Sequence, residues 1–274
     1  MRRRLMRRGV VAALAVVLSA TTMVAGPAAA GMADRIGATF MLMADEFIQA
    51  FQAVDGIIVS VEGEEVFLDI GSSRGGQVGQ EYTIYRKGAA FVHPLTGKPL
   101  GRYEEVLGWA QVRRIQPEFA AATFVPAPDK PRPQPEDGAR ITRGRIKIAV
   151  APVLDITTTG ADLRRVPYLI ATVLERSRRF QVVDPIAVSD MFAGGTLRVE
   201  EMLARPERAV RAAKNLEVTG WVVPMLLERR GAVTLDVTYI SAITGVALFS
   251  RRLTVLPRSA VEEQRFPWEP PVED

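Results

Sequence analysis

Arg86 to Val112 reads RKGAAFVHPLTGKPLGRYEEVLGWAQV, and the fold turns on this stretch. Two β-rich runs flank a loop punctuated by His93-Pro94, Thr96-Gly97, Lys98-Pro99 and Leu100-Gly101. Proline fixes φ and removes a donor, while glycine opens positive φ, so these punctuators specify one loop path between two strands. Beyond the loop, Val106, Ala110 and Val112 alternate with Leu107, Trp109 and Gln111 around Gly108. That pattern predicts a strand with a bend or bulge at the glycine. The stretch contains no nucleophile paired with a base, so it is expected to shape a surface rather than a reaction.

Upstream, Asp55-Gly56 opens a run in which Ile57, Val59 and Val61 alternate with Ile58, Ser60 and Glu62. After a Glu-Gly turn, Val66, Leu68 and Ile70 alternate with Phe67 and Asp69, a hairpin pattern. Gly71 to Gly79 reads as a turn region and Tyr82 to Tyr85 as a third strand; downstream, a last strand is expected near Ala121 to Val125. About five or six short strands with glycine at the corners predict a small closed barrel, SH3-like or similar, because closure removes exposed sheet edges. Before the barrel, Ile36, Phe40, Met43, Phe47 and Phe51 recur three or four residues apart, one face of an amphipathic helix over Met32 to Gln52. This helix is expected to pack on the barrel; its adaptable Met/Phe stripe also makes Phe40, Met43 and Phe47 candidates for a partner surface.

Pro126 to Gly144 (PAPDKPRPQPEDGARITRG) is too rich in proline and charge to fill a core, so residues 127–144 are assigned to an extended linker between a first domain at 31–126 and a second at 145–256. The second opens on the strand Ile146 to Val150 and continues into a helix bearing Val166, Leu169, Ile170, Val173 and Leu174, with Pro167 in its first turn. A short strand at Phe180 to Val183 follows, then helical pieces that Pro206 restarts. Three strands close the domain, at Val218–Leu227, Val233–Ile240 and Val246–Leu256. The order β-α-β-α-β-β-β predicts an α+β chain whose second domain is a mixed sheet with helices on one side. The tail over 257–274 is expected to be disordered.

The first thirty residues combine Arg2, Arg3, Arg4, Arg7 and Arg8 with an apolar run from Gly9 to Ala25 and small residues at Ala28-Ala29-Ala30. That is the pattern of a secretory signal cleaved near Ala30-Gly31, so the chain is expected to be periplasmic or secreted. Without those arginines the formal net charge falls from +4 to −1, which argues against nucleic acid as a partner. There is no cysteine, so neither disulfides nor a cysteine-linked lipid anchor is expected.

The single histidine, His93, is expected to make a loop hydrogen bond rather than ligate a metal, since zinc sites want several N or S ligands. Glu104 and Glu105 are adjacent and on a strand face opposite sides, so they do not pair as acid and base. Asp69, Asp155 and Asp236 lie on or after strands, with no spacing that unites them. Gly71 to Gly76 (GSSRGG) lacks the Gly-Lys-Ser/Thr ending of a phosphate-binding loop. No catalytic set, cofactor site or metal site is predicted.

Residues Ile146 to Pro152 (IKIAVAP), Arg179 to Asp184 (RFQVVD), Ala212 to Val218 (AAKNLEV) and Ile243-Thr244-Gly245 form an ordered series. The series resembles the TolB amino-terminal domain and the related domain of CsgG, also the middle domain of the flagellar assembly protein FlgT. The barrel, with Val66 to Gly71 (VFLDIG), Gly79 and Tyr82 to Arg86, resembles the carboxy-terminal domain of FlgT. The resemblance implies a non-enzymatic envelope protein that binds other envelope proteins, among them outer-membrane or flagellar basal components. Phe40, Met43, Phe47, Tyr85, His93, Tyr103 and Trp109 are the candidate partner surface. The alternative is a peptidoglycan- or glycan-binding barrel face using Trp109, Tyr103 and Tyr85.

Overall fold

The computed structural model describes residues 31–195 and 197–257; the expected leader, and the expected tail beyond Pro257, lie outside them. The chain is α+β with two sheets. Six antiparallel strands, β1 (Val54–Glu62), β2 (Glu65–Leu68), β3 (Glu81–Val92), β4 (Pro99–Ile115), β5 (Ala120–Pro126) and β6 (Gly138–Ile141), close into a barrel in the order β1-β2-β5-β4-β3-β6. Alternation sends Ile58, Val66, Leu68, Tyr82, Ile84, Leu107 and Val112 inward, each buried. Ala120, Ala121 and Ala122 of β5 are buried too, small enough for the wall to curve tightly there.

The bend at Gly108 is present. Ile84 pairs with Gly108 but Tyr85 pairs with Val106, so Leu107 is an extra residue in β4 and turns into the core. Gly108 has φ +158°, and a Cβ there would stand 2.3 Å from Val125 O and 2.7 Å from Phe124 Cζ.

The stretch assigned to a linker is different. Its last part is β6, which pairs with both β1 and β3 and closes the barrel. A barrel needs a strand at that seam, and GARI supplies one despite the prolines before it. Residues 127–137 cross the barrel surface as a strap, pinned where Ile58 N donates to Asp137 O (2.8 Å) and Ala127 N to Leu107 O (2.9 Å).

The second sheet holds β7 (Ile146–Val150), β8 (Leu154–Ile156), β9 (Phe180–Val182), β10 (Gly220–Arg229), β11 (Ala232–Ser241) and β12 (Ala247–Thr254), in the order β12-β11-β10-β7-β9 with β8 alongside β10. β7 runs parallel to β9 and β10; β10, β11 and β12 are antiparallel. Helices cover both faces, where one was expected. Ile146, Ile148 and Val150 face α1 (Met32–Gln49) and α2 (Val166–Arg176). Ala149, Ala151, Trp221 and Val223 face α3 (Pro185–Ala193), α4 (Val199–Ala204) and α5 (Pro206–Leu216). Strand residues alternate in direction, and both alternating sets are apolar here, so both faces have to be covered. Trp221 fills the second face and donates its indole N–H to Ala209 O at 3.0 Å.

The amino-terminal helix packs on this sheet rather than on the barrel. Phe47 meets Phe249 of β12 at 5.1 Å between ring centroids and Phe180 of β9 at 6.5 Å; just past the helix, Phe51 meets Tyr239 of β11 at 4.7 Å. α2 alone leaves the β11–β12 side of that face bare, and the α1 stripe covers it. Arg179 ties the halves together. Its guanidinium donates to Phe51 O, to Thr142 O and, at 2.7 Å, to Gly144 O.

Candidate functional site

β3 and β4 outrun the barrel. β3 leaves β6 at Tyr85 and β4 leaves β5 at Gly108, so among the described residues Arg86–Val92 and Pro99–Val106 have strand partners only in each other's strand. At about 3.3 Å per residue this two-stranded arm projects roughly 20 Å. Its outer edges carry backbone N–H and C=O groups with no ladder partner. Its tip is held by His93, whose Nδ1 accepts from Leu95 N (3.2 Å) and Thr96 N (3.3 Å) while Gly97 N donates to His93 O (2.9 Å). The loop hydrogen bond expected of His93 is therefore made.

Among its charged residues the arm exposes several large apolar side chains. Leu95 at the tip is 90% exposed, Tyr103 64%, Leu100 57% and Phe91 47%. Phe91 and Tyr103 stack edge to face, 5.5 Å between centroids. Exposed large apolar side chains grouped on one projecting element are the kind of feature found at interaction surfaces. The arm's root is braced. Arg86 pairs with buried Asp137 of the strap at 2.7 Å, Glu105 with Lys130 at 3.1 Å, and Glu104 with Arg140 of β6 at 2.6 Å. Glu104 and Glu105 thus turn to different partners, as strand alternation requires.

A second feature lies where barrel and sheet meet. Glu81, Trp109 and Arg140 of the barrel, with Arg145, Lys147 and Tyr239 of the other half, line a cleft of about 250 Å³. At its floor Glu81 Oε2 accepts from Gln111 Nε2 (2.7 Å) and Ser241 Oγ (2.8 Å), and Gln111 Nε2 also reaches Thr244 Oγ1 (3.0 Å). Burial raises the Glu81 carboxyl above its ordinary value, and the Gln111 and Ser241 hydrogen bonds partly oppose that. Burial likewise raises the Tyr239 phenol, with the nearby Glu81 charge adding to it. Among the described residues, no Lys or Arg stands within 4.0 Å of the Glu81 carboxylate, and no three potential metal ligands cluster.

The seven candidate surface residues are scattered. Phe40, Met43 and Phe47 are buried at 0%, 5% and 0% exposure, because the sheet takes their stripe; the exposed apolar residues of α1 are Met41 and Leu42. Tyr85 is buried beneath Arg140, whose guanidinium carbon lies 4.3 Å from the ring centroid. Trp109 lines the cleft, while His93 and Tyr103 belong to the arm. The glycan face of Trp109, Tyr103 and Tyr85 is therefore not formed as one surface. The three aspartates do separate local jobs: Asp69 pairs with Arg74 at 2.7 Å, Asp236 with Arg252 at 2.5 Å, and Asp155 accepts from Thr157 N at 2.9 Å. Glu81 and Ser241 carried no sequence signal. Leu95 and Leu100 did, as large apolar residues inside a turn-rich loop.

No family model matches the sequence, and no curated protein does. Among solved structures, the chain is similar to the LpoB C-terminal domain from Escherichia coli, with 16% identity over 42% of this chain and 86% of that one and a TM-score of 0.35. It is also similar to the lipoprotein GNA1162 from Neisseria meningitidis, with 15% identity over 40% and 78% and a TM-score of 0.33. At these scores the likeness assigns neither function nor partner to this chain.

Proposed function

We propose that this chain is a non-enzymatic interaction factor of the bacterial cell envelope that docks a partner protein on the β3–β4 arm, the partner adding an extended segment to the arm's open edge. The observation that carries the reading is the braced arm, with exposed Phe91, Leu95, Leu100 and Tyr103 beside unpaired backbone edges. Strand addition gives such edges their hydrogen bonds, and apolar side chains at the edge supply the burial. The leader-like sequence at 1–30 supports an envelope location. The order β7-β8-α2-β9-α3-α4-α5-β10-β11-β12 of the second half, a mixed sheet ending in three antiparallel strands, supports a TolB amino-terminal/CsgG-like assignment, and the small closed barrel supports an SH3-like, FlgT-like one. Ionisable side chains from both halves line the cleft, yet among the described residues no acid there faces a base at bonding distance across it, which favours binding over catalysis.

The test is site-specific photocrosslinking in intact cells. A photoreactive residue at Leu95 or Tyr103 gives a discrete adduct with an envelope protein, and one at Val78, 54% exposed on the barrel away from the arm, does not. The Tyr103 adduct disappears when Leu95→Asp is added. No adduct from the arm, or the same adducts from Val78, refutes the reading.

A further inference from the structure

The cleft between the halves has the construction of a ligand site, independent of the arm. Its floor is one carboxylate, Glu81, whose Oε2 is occupied by Gln111 and Ser241. Glu81 Oε1 receives no hydrogen bond among the described residues. It is not sealed off either, since no buried side-chain oxygen among them lacks a partner; it opens onto the cleft. Trp109 and Tyr239 supply flat walls, and Thr83 and Thr219 add hydroxyls. Arg140, Arg145 and Lys147 bring three positive charges to the lining against the single negative charge of Glu81. They are only partly neutralised: Arg140 by Glu104 at 2.6 Å, Lys147 by Glu217 at 3.7 Å, while Arg145 donates to a carbonyl, Phe180 O, at 2.9 Å.

A cleft so charged prefers an anion overall, yet its floor presents an acceptor. A ligand satisfying both carries a carboxylate for the basic groups and a donor for Glu81 Oε1. The volume holds only a few heavy atoms beyond those groups. We infer that the cleft binds a small organic acid bearing a hydrogen-bond donor, an amino acid or hydroxy acid, with its carboxylate toward Arg145 and Lys147 and its ammonium or hydroxyl on Glu81. Both contacts are charge-assisted and partly shielded from water, where such bonds are strongest. The ligand's ammonium or hydroxyl also gives the Glu81 carboxylate a partner at a floor where, unpaired, it is poorly solvated.

NMR titration of the 15N-labelled chain, reading the Trp109 indole and the Lys147 amide, tests this with alanine, lactate, propionate and alaninamide as probes. Alanine or lactate gives saturable shifts with a Kd below about 10 mM, and propionate, lacking the donor, and alaninamide, lacking the carboxylate, bind at least about tenfold more weakly. Glu81→Gln, which keeps the Ser241 and Gln111 bonds, and Lys147→Gln each weaken alanine about tenfold. The inference is overturned if neither alanine nor lactate saturates, if propionate binds as well as alanine, or if neither variant changes Kd. The ligand series on the native chain decides the matter even where a variant fails to fold.

Discussion

Ser241 Oγ stands 2.8 Å from Glu81 Oε2 and donates to it, joining the last turn of the second sheet to the first residue of β3 across 160 positions of sequence. The bond sits in the seam between barrel and sheet, with Gln111 bridging Glu81 and Thr244 beside it. These directional hydrogen bonds fix one relative placement of barrel and sheet, because apolar contact alone is tolerant of sliding.

The latch predicts a pH dependence. The Glu81 carboxyl is raised above 4.5 by burial, so the folded state holds its proton more tightly than the unfolded chain does. Stability from this group is then greatest below the unfolded value and declines as pH rises through the folded one. Glu81→Gln removes the ionisation and can keep the hydrogen bonds. The variant is expected to melt about 2–4 °C higher than the native chain at pH 8, with the gap closing toward pH 4. Thermal melts across that range check it; a constant gap, or a lower melting temperature at pH 8, contradicts it.

Arg179 predicts a large loss. Its guanidinium serves the carbonyls of Phe51, Thr142 and Gly144, and burial holds it below its ordinary value, with no ion pair to a carboxylate among the described residues. Arg179→Met leaves those acceptors without a donor and is expected to cost about 3 kcal/mol or more in urea unfolding. Arg179→Lys, a single point donor, recovers only part of that.

The placement of α1 predicts a sharp contrast along one helix. Phe47→Ala opens a cavity among Phe40, Phe51, Phe180 and Phe249 and is expected to cost about 3–5 kcal/mol. Met41→Ser and Leu42→Ser, on the exposed face, change stability by about 0.5 kcal/mol or less. Denaturant midpoints for the three variants distinguish a core stripe from a docking stripe.

The arm predicts a separation of folding from docking. Lys87 pairs with Glu104, so residues 88–103 can be replaced by Asn-Gly, a two-residue hairpin turn. The shortened chain is expected to unfold within about 0.5 kcal/mol of the native one, while the crosslink from the arm is lost with it. By contrast Gly108→Val, at the root, collides with Val125 O and Phe124 and lowers the melting temperature. A shortened chain that does not fold would show that the arm belongs to the core.

How much could be read in advance follows from the range of each interaction. The hairpin at Ile57 to Ile70, the bulge at Gly108, Pro167 and Pro206 in first helical turns and the tip bond of His93 rest on contacts within a few residues, and local pattern determined them. Only the tertiary structure decided what lies opposite each apolar stripe. A spacing of three or four states that one face of α1 is buried, but not that Phe249 rather than the barrel buries it. Strand alternation permitted coverage of either or both faces of the second sheet, and the helices took both. GARI after five prolines became a barrel strand because β1 and β3 left a seam only a strand could fill. Glu81 meets Ser241 through the packing of two separately patterned halves, a coincidence in space that no periodicity along the chain encodes.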